Sequence, residues 1–510
     1  MKGMVSSAHD LISQTGKKIL SLGGNAIDAS IAMALSAGVV LPDMCGLGGD
    51  AFLLYYDHQK DKVYAINGSG QIPKNYDLNT PIQKRGMTSV TVPGLVDVLF
   101  TIQNKWGTMP FNQLSQDAID YARNGIYVPS KVERHMHTDL KDLQAYNAGK
   151  LYLNNGRPKT KKDKIINLDL ASTLEYLNDY GRDGFYQGEI TKKIVQYSQN
   201  HGGYFTLDDF KDYHCEILEP IQVDYRGYTI LQTPPVSQGY LHLQEMGILN
   251  HLDFNNKTTV QKIHAMLETK KLAFSQREFT YNHVDLGLSE SYTKVLANQI
   301  DFNQANNKIG DPYTQNRGHT TSFVVVDQFH NACSFILSIA GTWGSGEIVE
   351  GTGILLNNRA GVGLNTRLEH PLCILHKQKA VHTLNTWMIF KDHQLKYVGN
   401  TPGGDYQVMW NMQLVSHLID EQMTPKQAVS VPKWRADYDG INHIIEMEED
   451  FGKEVIEALE KLGHSIKVIP KLSASGASQI IEIFDDHLEG GSDPRADGTV
   501  LDLSSKIENN

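Results

Sequence analysis

The stretch from Gly23 to Tyr56 constrains the fold more than any other. Gly23-Gly24-Asn25-Ala26-Ile27-Asp28-Ala29-Ser30 ends one helix at its glycines and starts the next, with Asn25 as N-cap. Ala29 to Leu41 is apolar on nearly all sides, the pattern of a buried helix. Gly46-Leu47-Gly48-Gly49-Asp50 then turns into Ala51-Phe52-Leu53-Leu54-Tyr55-Tyr56, an unbroken apolar strand, and such a strand is buried on both faces. Short helices and strands of this kind alternate through the first 130 residues and predict an α/β (α+β) fold. The chain has 510 residues, enough to bury a large core without a disulfide or metal staple. Length alone allows roughly two to four domains, or one large α/β unit.

Charge and cysteine usage remove several function classes. Lys plus Arg number 47 and Asp plus Glu 58, a net charge of −11 with no dense basic block. Binding to nucleic acid or an anionic membrane is therefore not expected. Cys45, Cys215, Cys333 and Cys373 lie far apart with no C-x-x-C pair, which argues against a disulfide framework and a thiolate zinc site. The first ten residues lack the apolar core of a secretory signal. The longest apolar run, Ser30 to Leu41, is shorter than the ~20 residues a membrane span needs. A soluble, cytoplasmic protein is the expectation.

From about Pro110 to Ile300 the pattern is mainly helical, with Tyr146 to Lys164 read as a surface loop and Thr229 to Gln232 as a strand. Asp301 to Gly318 is poor in apolar residues and rich in loop formers, and reads as an exposed linker. After it, Thr321 to Asp327 is a strand, Gln328 to Asn331 a turn and Ala332 to Ile339 the returning strand. Strands with a few helices follow to Ile483, and the polar tail from Gly490 is expected to fray at its end.

Most strong catalytic signatures are missing: no G-x-x-x-x-G-K-[ST], no H-E-x-x-H and no G-x-S-x-G. His135-Met136-His137, among Lys131, Glu133 and Arg134, reads as a solvated helix face rather than a metal pair. Gly344-Ser345-Gly346 fits no nucleotide fingerprint. Two places stand out. Gly318-His319-Thr320-Thr321 joins the linker to a buried strand, where a threonine is otherwise an ordinary strand former. Thr401-Pro402-Gly403-Gly404-Asp405 follows a strand over Leu395 to Gly399; its glycines are either a plain turn or an oxyanion hole of converging N–H groups.

At these places the sequence resembles the γ-glutamyltransferase family of N-terminal-nucleophile (Ntn) hydrolases. Gly3-Met4-Val5-Ser6-Ser7, Gly23 to Ala29, Gly46 to Phe52, Val92-Pro93-Gly94 and Ala122-Arg123-Asn124-Gly125 are similar to family blocks. So are Phe185-Tyr186-Gln187-Gly188, Asp224 to Tyr228, Gly353 to Asn358 and Asp493-Pro494-Arg495, all in the family's order. The resemblance implies a four-layer αββα sandwich and one γ-glutamyltransferase-like domain over 1–500. It implies self-cleavage between His319 and Thr320, giving a large subunit 1–319 and a small subunit 320–510 that stay together as a heterodimer. Thr320 would be nucleophile and, through its new α-amine, base. Ser338 matches a hydroxyl that bonds the nucleophile, and Gly403 and Gly404 match the oxyanion hole. No metal or organic cofactor is implied. Ser322 stands where the family commonly has histidine.

The substrate pocket departs from the mainstream family. Asn67 to Pro73 lacks the arginine that holds a glutamyl α-carboxylate there. Arg359 and Val362 replace the partners of the substrate amine, and His382-Thr383 replace a pair of serines. A cation at 359 repels an ammonium and attracts a carboxylate. L-N-N-R, H-T-L-N and T-P-G-G-D together resemble the oxamate amidohydrolase and acylase-like members. A small amide with an acidic, oxamate-like acyl part, contacted by Arg359, His382 and Thr383, is the expected substrate. A γ-glutamyl hydrolase or transferase with a rebuilt pocket, and an unprocessed silent relative, are the alternatives.

Overall fold

The computed structural model describes residues 3–312, 318–370, 372–375 and 378–504. Two antiparallel sheets form its centre. The first runs Thr499–Asp502, Met4–Ser7, Thr321–Val326, Ala332–Ser338, Asp50–Asp57, Lys62–Asn67 and Glu216–Leu218. The second runs Leu488–Ser492, Gln479–Ile483, Gln394–Asn400, Trp387–Lys391, Tyr228–Gln232 and Ile221–Tyr225.

Side-chain alternation shows why the strands read as continuous apolar runs. In Thr321–Val326, Phe323 and Val325 enter a core shared with helices, while Val324 and Val326 enter the core between the sheets. Leu53 and Tyr55 likewise face helices, and Leu54 and Tyr56 the inner core. In the second sheet Ile389 and Ile480 face helices; Met388 and Ile481 face inward. Each sheet is thus buried on both faces, which gives the αββα layering. The helix Ala26–Val40 covers the first sheet, and Gly239–Asn250 and Tyr406–Ile419 cover the second. Asn25 caps Ala26–Val40: its Oδ1 accepts from the Ile27 and Asp28 N–H groups at 3.0 Å, and Asp28 returns a bond to the Asn25 N–H.

Segments before and after residue 319 share both sheets, and in the first they are interleaved. The hairpin Thr321 to Ser338 sits between Met4–Ser7 and Asp50–Asp57. Asp327 closes its turn, with Oδ1 accepting from the Phe329 N–H (2.8 Å) and the Asn331 N–H (2.9 Å). Its Oδ2 accepts from the Ala26 N–H at 2.8 Å, tying the turn to the start of the buried helix.

Three expectations change, and the polar tail is ordered as far as the described residues reach. Tyr146 to Lys164 is not simply a surface loop: a helical turn Gly149–Tyr152 and short strand pairs bury Ala148, Tyr152 and Leu153. The linker is exposed in part but anchored: Ala305 N–H bonds Leu462 O (2.7 Å), Asn306 N–H bonds Glu268 (3.0 Å), and Ile309 O accepts from His443 (2.5 Å). Polar residues bound to buried polar partners give no apolar signal. Residues 313–317 of the linker lie outside the described residues. His135 is buried, although His137 on the same helix is exposed. The polar tail adds the edge strand Thr499–Asp502, bonded to Met4–Ser7; residues 505–510 lie outside the described residues. Among the described residues no helix is long and apolar enough to cross a membrane, and all four cysteines are free.

Candidate active site

Thr320 is buried immediately before the first residue of Thr321–Val326, at the end of the sheet where Ser338 closes the neighbouring strand. The peptide before it is held on both sides. His319 N–H donates to Ala340 O (2.9 Å), and Ser338 Oγ donates to His319 O (2.8 Å) while accepting from the Ala340 N–H (2.8 Å). In the continuous chain, then, Ser338 bonds the carbonyl of the His319–Thr320 peptide rather than the Thr320 hydroxyl. The His319 ring packs edge-on to His135 (4.8 Å between centroids), and His135 Nδ1 lies 2.5 Å from Asp43 Oδ2. Burial, reinforced by His135, pushes His319 down to about 3, so its ring is neutral near pH 7.

The glycine turn reaches the same place from the second sheet. Asn400 Nδ2 donates to Phe323 O (3.0 Å) and Ser334 Oγ (2.9 Å), and Ser334 Oγ donates to Gly399 O (2.8 Å). These bonds fix the end of Gln394–Asn400 on the hairpin that follows Thr320, and Pro402 emerges beside Thr320. Pro402 and Thr320 line one small cavity of about 10 Å³, with Lys131 and His9 on its wall. Gly403 has φ +139°, and a Cβ there would collide with the Trp410 ring. The Gly403 and Gly404 carbonyls accept from Tyr406 and Gln407 at the start of the helix Tyr406–Ile419. Their own N–H groups make no backbone hydrogen bond to any described residue.

Arg359 and His382 meet at Asp50. Asp50 is paired in register with Ser338, and its Oδ2 lies 3.3 Å from both Arg359 Nε and His382 Nε2. The charge of Arg359 is therefore already met inside the protein, which the sequence reading did not foresee. Burial, then the Arg359 cation, pushes His382 down to about 4 and leaves it neutral. Arg359 Nη2 and His382 Nδ1 are buried with no hydrogen-bond partner, while His382 Nε2 is turned to Asp50. Thr383 is buried next to His382, and its carbonyl accepts from Asn385 Nδ2 at 2.9 Å. Asn357 organises this corner: its Oδ1 accepts from the Thr91 and Arg359 N–H groups, and its Nδ2 donates to Gly48 O. A Cβ on Gly48 would collide with the Leu355 carbonyl, which accounts for one glycine of the Gly46–Asp50 block.

His135 is turned to Asp43, whereas His137 is exposed. Among the described residues one cluster, His264, Glu268 and His464, brings its ligand atoms within 4.8 Å. Its members already bond one another and their neighbours: His264 Nδ1 and His464 Nε2 are 2.7 Å apart, and the Glu268 oxygens accept from Lys271 and the Asn306 N–H.

Sequence reasoning missed Asp50, Asp43 and His135. Asp50 was visible as the acid ending G-L-G-G-D. Asp43 and His135, far apart in sequence, carry no signal that a spacing rule detects.

Comparison with known proteins identifies the family. Residues 12–503 match the model of the gamma-glutamyltranspeptidase family. The chain is 32% identical to the glutathione hydrolase-like YwrD proenzyme of Bacillus subtilis, covering 98% of each chain. It is 29% identical to the oxamate amidohydrolase proenzyme of Klebsiella pneumoniae, again over 98% of each. The crystal structure of a cephalosporin acylase from Bacillus halodurans superposes with a TM-score of 0.90 at 30% identity, over 98% of this chain and 95% of that one. The chain is an enzyme of the gamma-glutamyltranspeptidase family of Ntn hydrolases.

Proposed function

We propose that the chain cuts itself between His319 and Thr320 and then hydrolyses a small amide with an acidic acyl part, such as oxamate. The observation that carries this reading is the Ser338 hydroxyl donating to the His319 carbonyl at 2.8 Å, one residue before a buried threonine. In self-cleavage the Thr320 Oγ bonds to the His319 carbonyl carbon, the C–N bond breaks, and the proton passes from Oγ to the freed amine. Water then hydrolyses the ester. The products are chains 1–319 and 320–510, which stay together because their strands share both sheets.

The new α-amine has a pKa of about 7.7–8, so a useful fraction is neutral near pH 7 and accepts the Thr320 Oγ proton. Attack on the substrate carbonyl puts negative charge on its oxygen, facing the Gly403 and Gly404 N–H groups. The amine product leaves with the transferred proton, and water releases the acid from the acyl-enzyme. A metal or organic cofactor has no role in these steps.

Support for an acidic acyl group comes from the unpaired Arg359 Nη2. A buried donor without a partner is costly, and a substrate carboxylate satisfies it. The name of the Klebsiella relative points the same way, whereas that of the Bacillus subtilis relative favours a γ-glutamyl donor. An assay panel of oxamate, other small amides and γ-glutamyl anilides decides between them. Faster turnover of oxamate, abolished in Thr320→Ala, is expected; γ-glutamyl turnover far above oxamate overturns the substrate assignment.

A further inference from the structure

Self-cleavage includes a proton transfer for which Thr320 itself lacks a base. Its α-amine comes into being only with the cut; until then its nitrogen is a peptide N–H, whose lone pair is tied up in resonance. A group outside Thr320 must take the Oγ proton and return one to the nitrogen as the C–N bond breaks.

One helix faces both residues of that peptide. Lys131 and His135 stand four apart on Ser130–Thr138 and so share a face. His135 meets the His319 ring, and Lys131 lines the cavity of about 10 Å³ beside Thr320. The other polar residues on that wall are His9, Thr321 and Asp497; the rest are Ala, Leu, Met and Pro. Thr321 Oγ1 is buried with no hydrogen-bond partner, and a cavity of this size admits a single water. Among the described residues Lys131 Nζ makes one hydrogen bond, a long one of 3.4 Å to Ser475 O.

The neighbouring groups are poorer bases for this step. His9 Nδ1 accepts from the Leu11 N–H (3.2 Å) as the cap of Asp10–Ser21, so a neutral ring carries its proton on Nε2 and has no lone pair to spare. His135 turns Nδ1 to Asp43 and lies against His319, off the cavity. A carboxylate, as on Asp497, is a far weaker base than a neutral amine. Burial pushes the Lys131 amine down, against the pull of Asp43, which raises its neutral fraction above that of a lysine in water.

We infer that Lys131 is the proton carrier of self-cleavage, acting across this cavity through a single water. As Thr320 Oγ bonds to the His319 carbonyl carbon, its proton passes through the water to the neutral Lys131 amine. As the C–N bond breaks, the same route returns a proton to the Thr320 nitrogen and leaves Lys131 as it began. The inference rests on the self-cleavage proposed above and names the base of that step.

The test follows the cut on denaturing gels, with circular dichroism as the folding control. Lys131→Ala should slow the cut by about 10²–10⁴-fold. Methylamine takes up the space of the missing side-chain end and should speed Lys131→Ala. That gain should grow between about pH 7 and 9 at fixed total amine, following the free base. At each pH the rate is divided by the rate without amine. The ratio cancels the titration of the groups around the cavity: Arg134 and His135 on the same helix, and His9, Asp43, His319, Asp493 and Asp497 on other segments. A folded Lys131→Ala chain that cuts at the unmodified rate, gains nothing from methylamine, or gains in step with methylammonium overturns the inference. Lys131→Arg keeps length and charge but stays protonated, and should also be slow. Where Lys131→Ala does not fold, this variant decides, and cutting at the unmodified rate overturns the inference. An unmodified chain that never cuts overturns the function proposed above; a cut at His319–Thr320 that ignores Lys131 overturns this inference alone.

Discussion

Replacing Ser338 by alanine separates holding the His319–Thr320 peptide from merely packing near it. Ser338 is 1% exposed, and its hydroxyl bonds His319 O and the Ala340 N–H, both at 2.8 Å. The bond to His319 O exists before the reaction, so only its strengthening on the developing oxyanion accelerates cleavage. A neutral hydrogen bond contributes about 0.5–1.5 kcal/mol and a charge-assisted one about 1.5–3, a difference near 1–1.5 kcal/mol, or roughly tenfold. The upper bound is that of a dedicated oxyanion donor, ~10²–10³. Ser338→Ala should therefore slow self-cleavage by between about tenfold and a thousandfold while the chain stays folded. Stability should fall by about 1–3 kcal/mol from the stranded Ala340 N–H. The assay is a time course of freshly purified chain on denaturing gels, with circular dichroism as the folding control. A folded Ser338→Ala chain that cuts itself at the unmodified rate would refute the role given to this hydroxyl.

Other substitutions and conditions have equally definite outcomes. Gly403→Ala should abolish most amide turnover, because φ +139° and the Trp410 ring both oppose a side chain; normal kcat would contradict the oxyanion role proposed for this turn. Asp50→Ala should cost about 3–5 kcal/mol in urea unfolding, since it strands the buried Arg359 cation. Acid should destabilise the uncut Thr320→Ala chain. His242, His319, His382, His443 and His464 are pushed by burial down to about 3 or 4 from 6.5, so the unfolded chain binds more protons as pH falls from 7 toward 5. Each costs up to about 1.4 kcal/mol per pH unit. Glu245 and Asp311, which burial raises, oppose this, but five groups outweigh two. A urea midpoint that does not fall between pH 7 and pH 5 would contradict these burials.

How much was legible depends on what each residue had to do. The buried helix with its Asn25 cap, the strand Asp50–Asp57 and the hairpin after Thr320 were readable because local pattern and burial agree. Thr320, Ser338 and the Gly403-Gly404 turn were singled out through their motifs, and the fold brings them to one end of the two sheets. Pairings across long sequence distances were not readable. Asp50 with Arg359 and His382, Asp43 with His135, and Asp311 with Arg277 are polar contacts whose partners carry no periodicity. The linker shows the same limit: its polar residues signalled exposure, while the structure binds several of them to buried groups. Arg359 was read for its charge alone, and Asp50 shows that a buried charge is interpreted only together with its partner.

The most direct measurement is the intact mass of the purified chain, with N-terminal sequencing of any fragment. Cleavage at His319–Thr320 predicts pieces of 319 and 191 residues, the smaller beginning Thr-Thr-Ser-Phe, and a single 510-residue chain for Thr320→Ala. An unmodified chain that stays whole while hydrolysing amides, or a cut that persists in Thr320→Ala, would contradict Thr320 as the self-made N-terminal nucleophile.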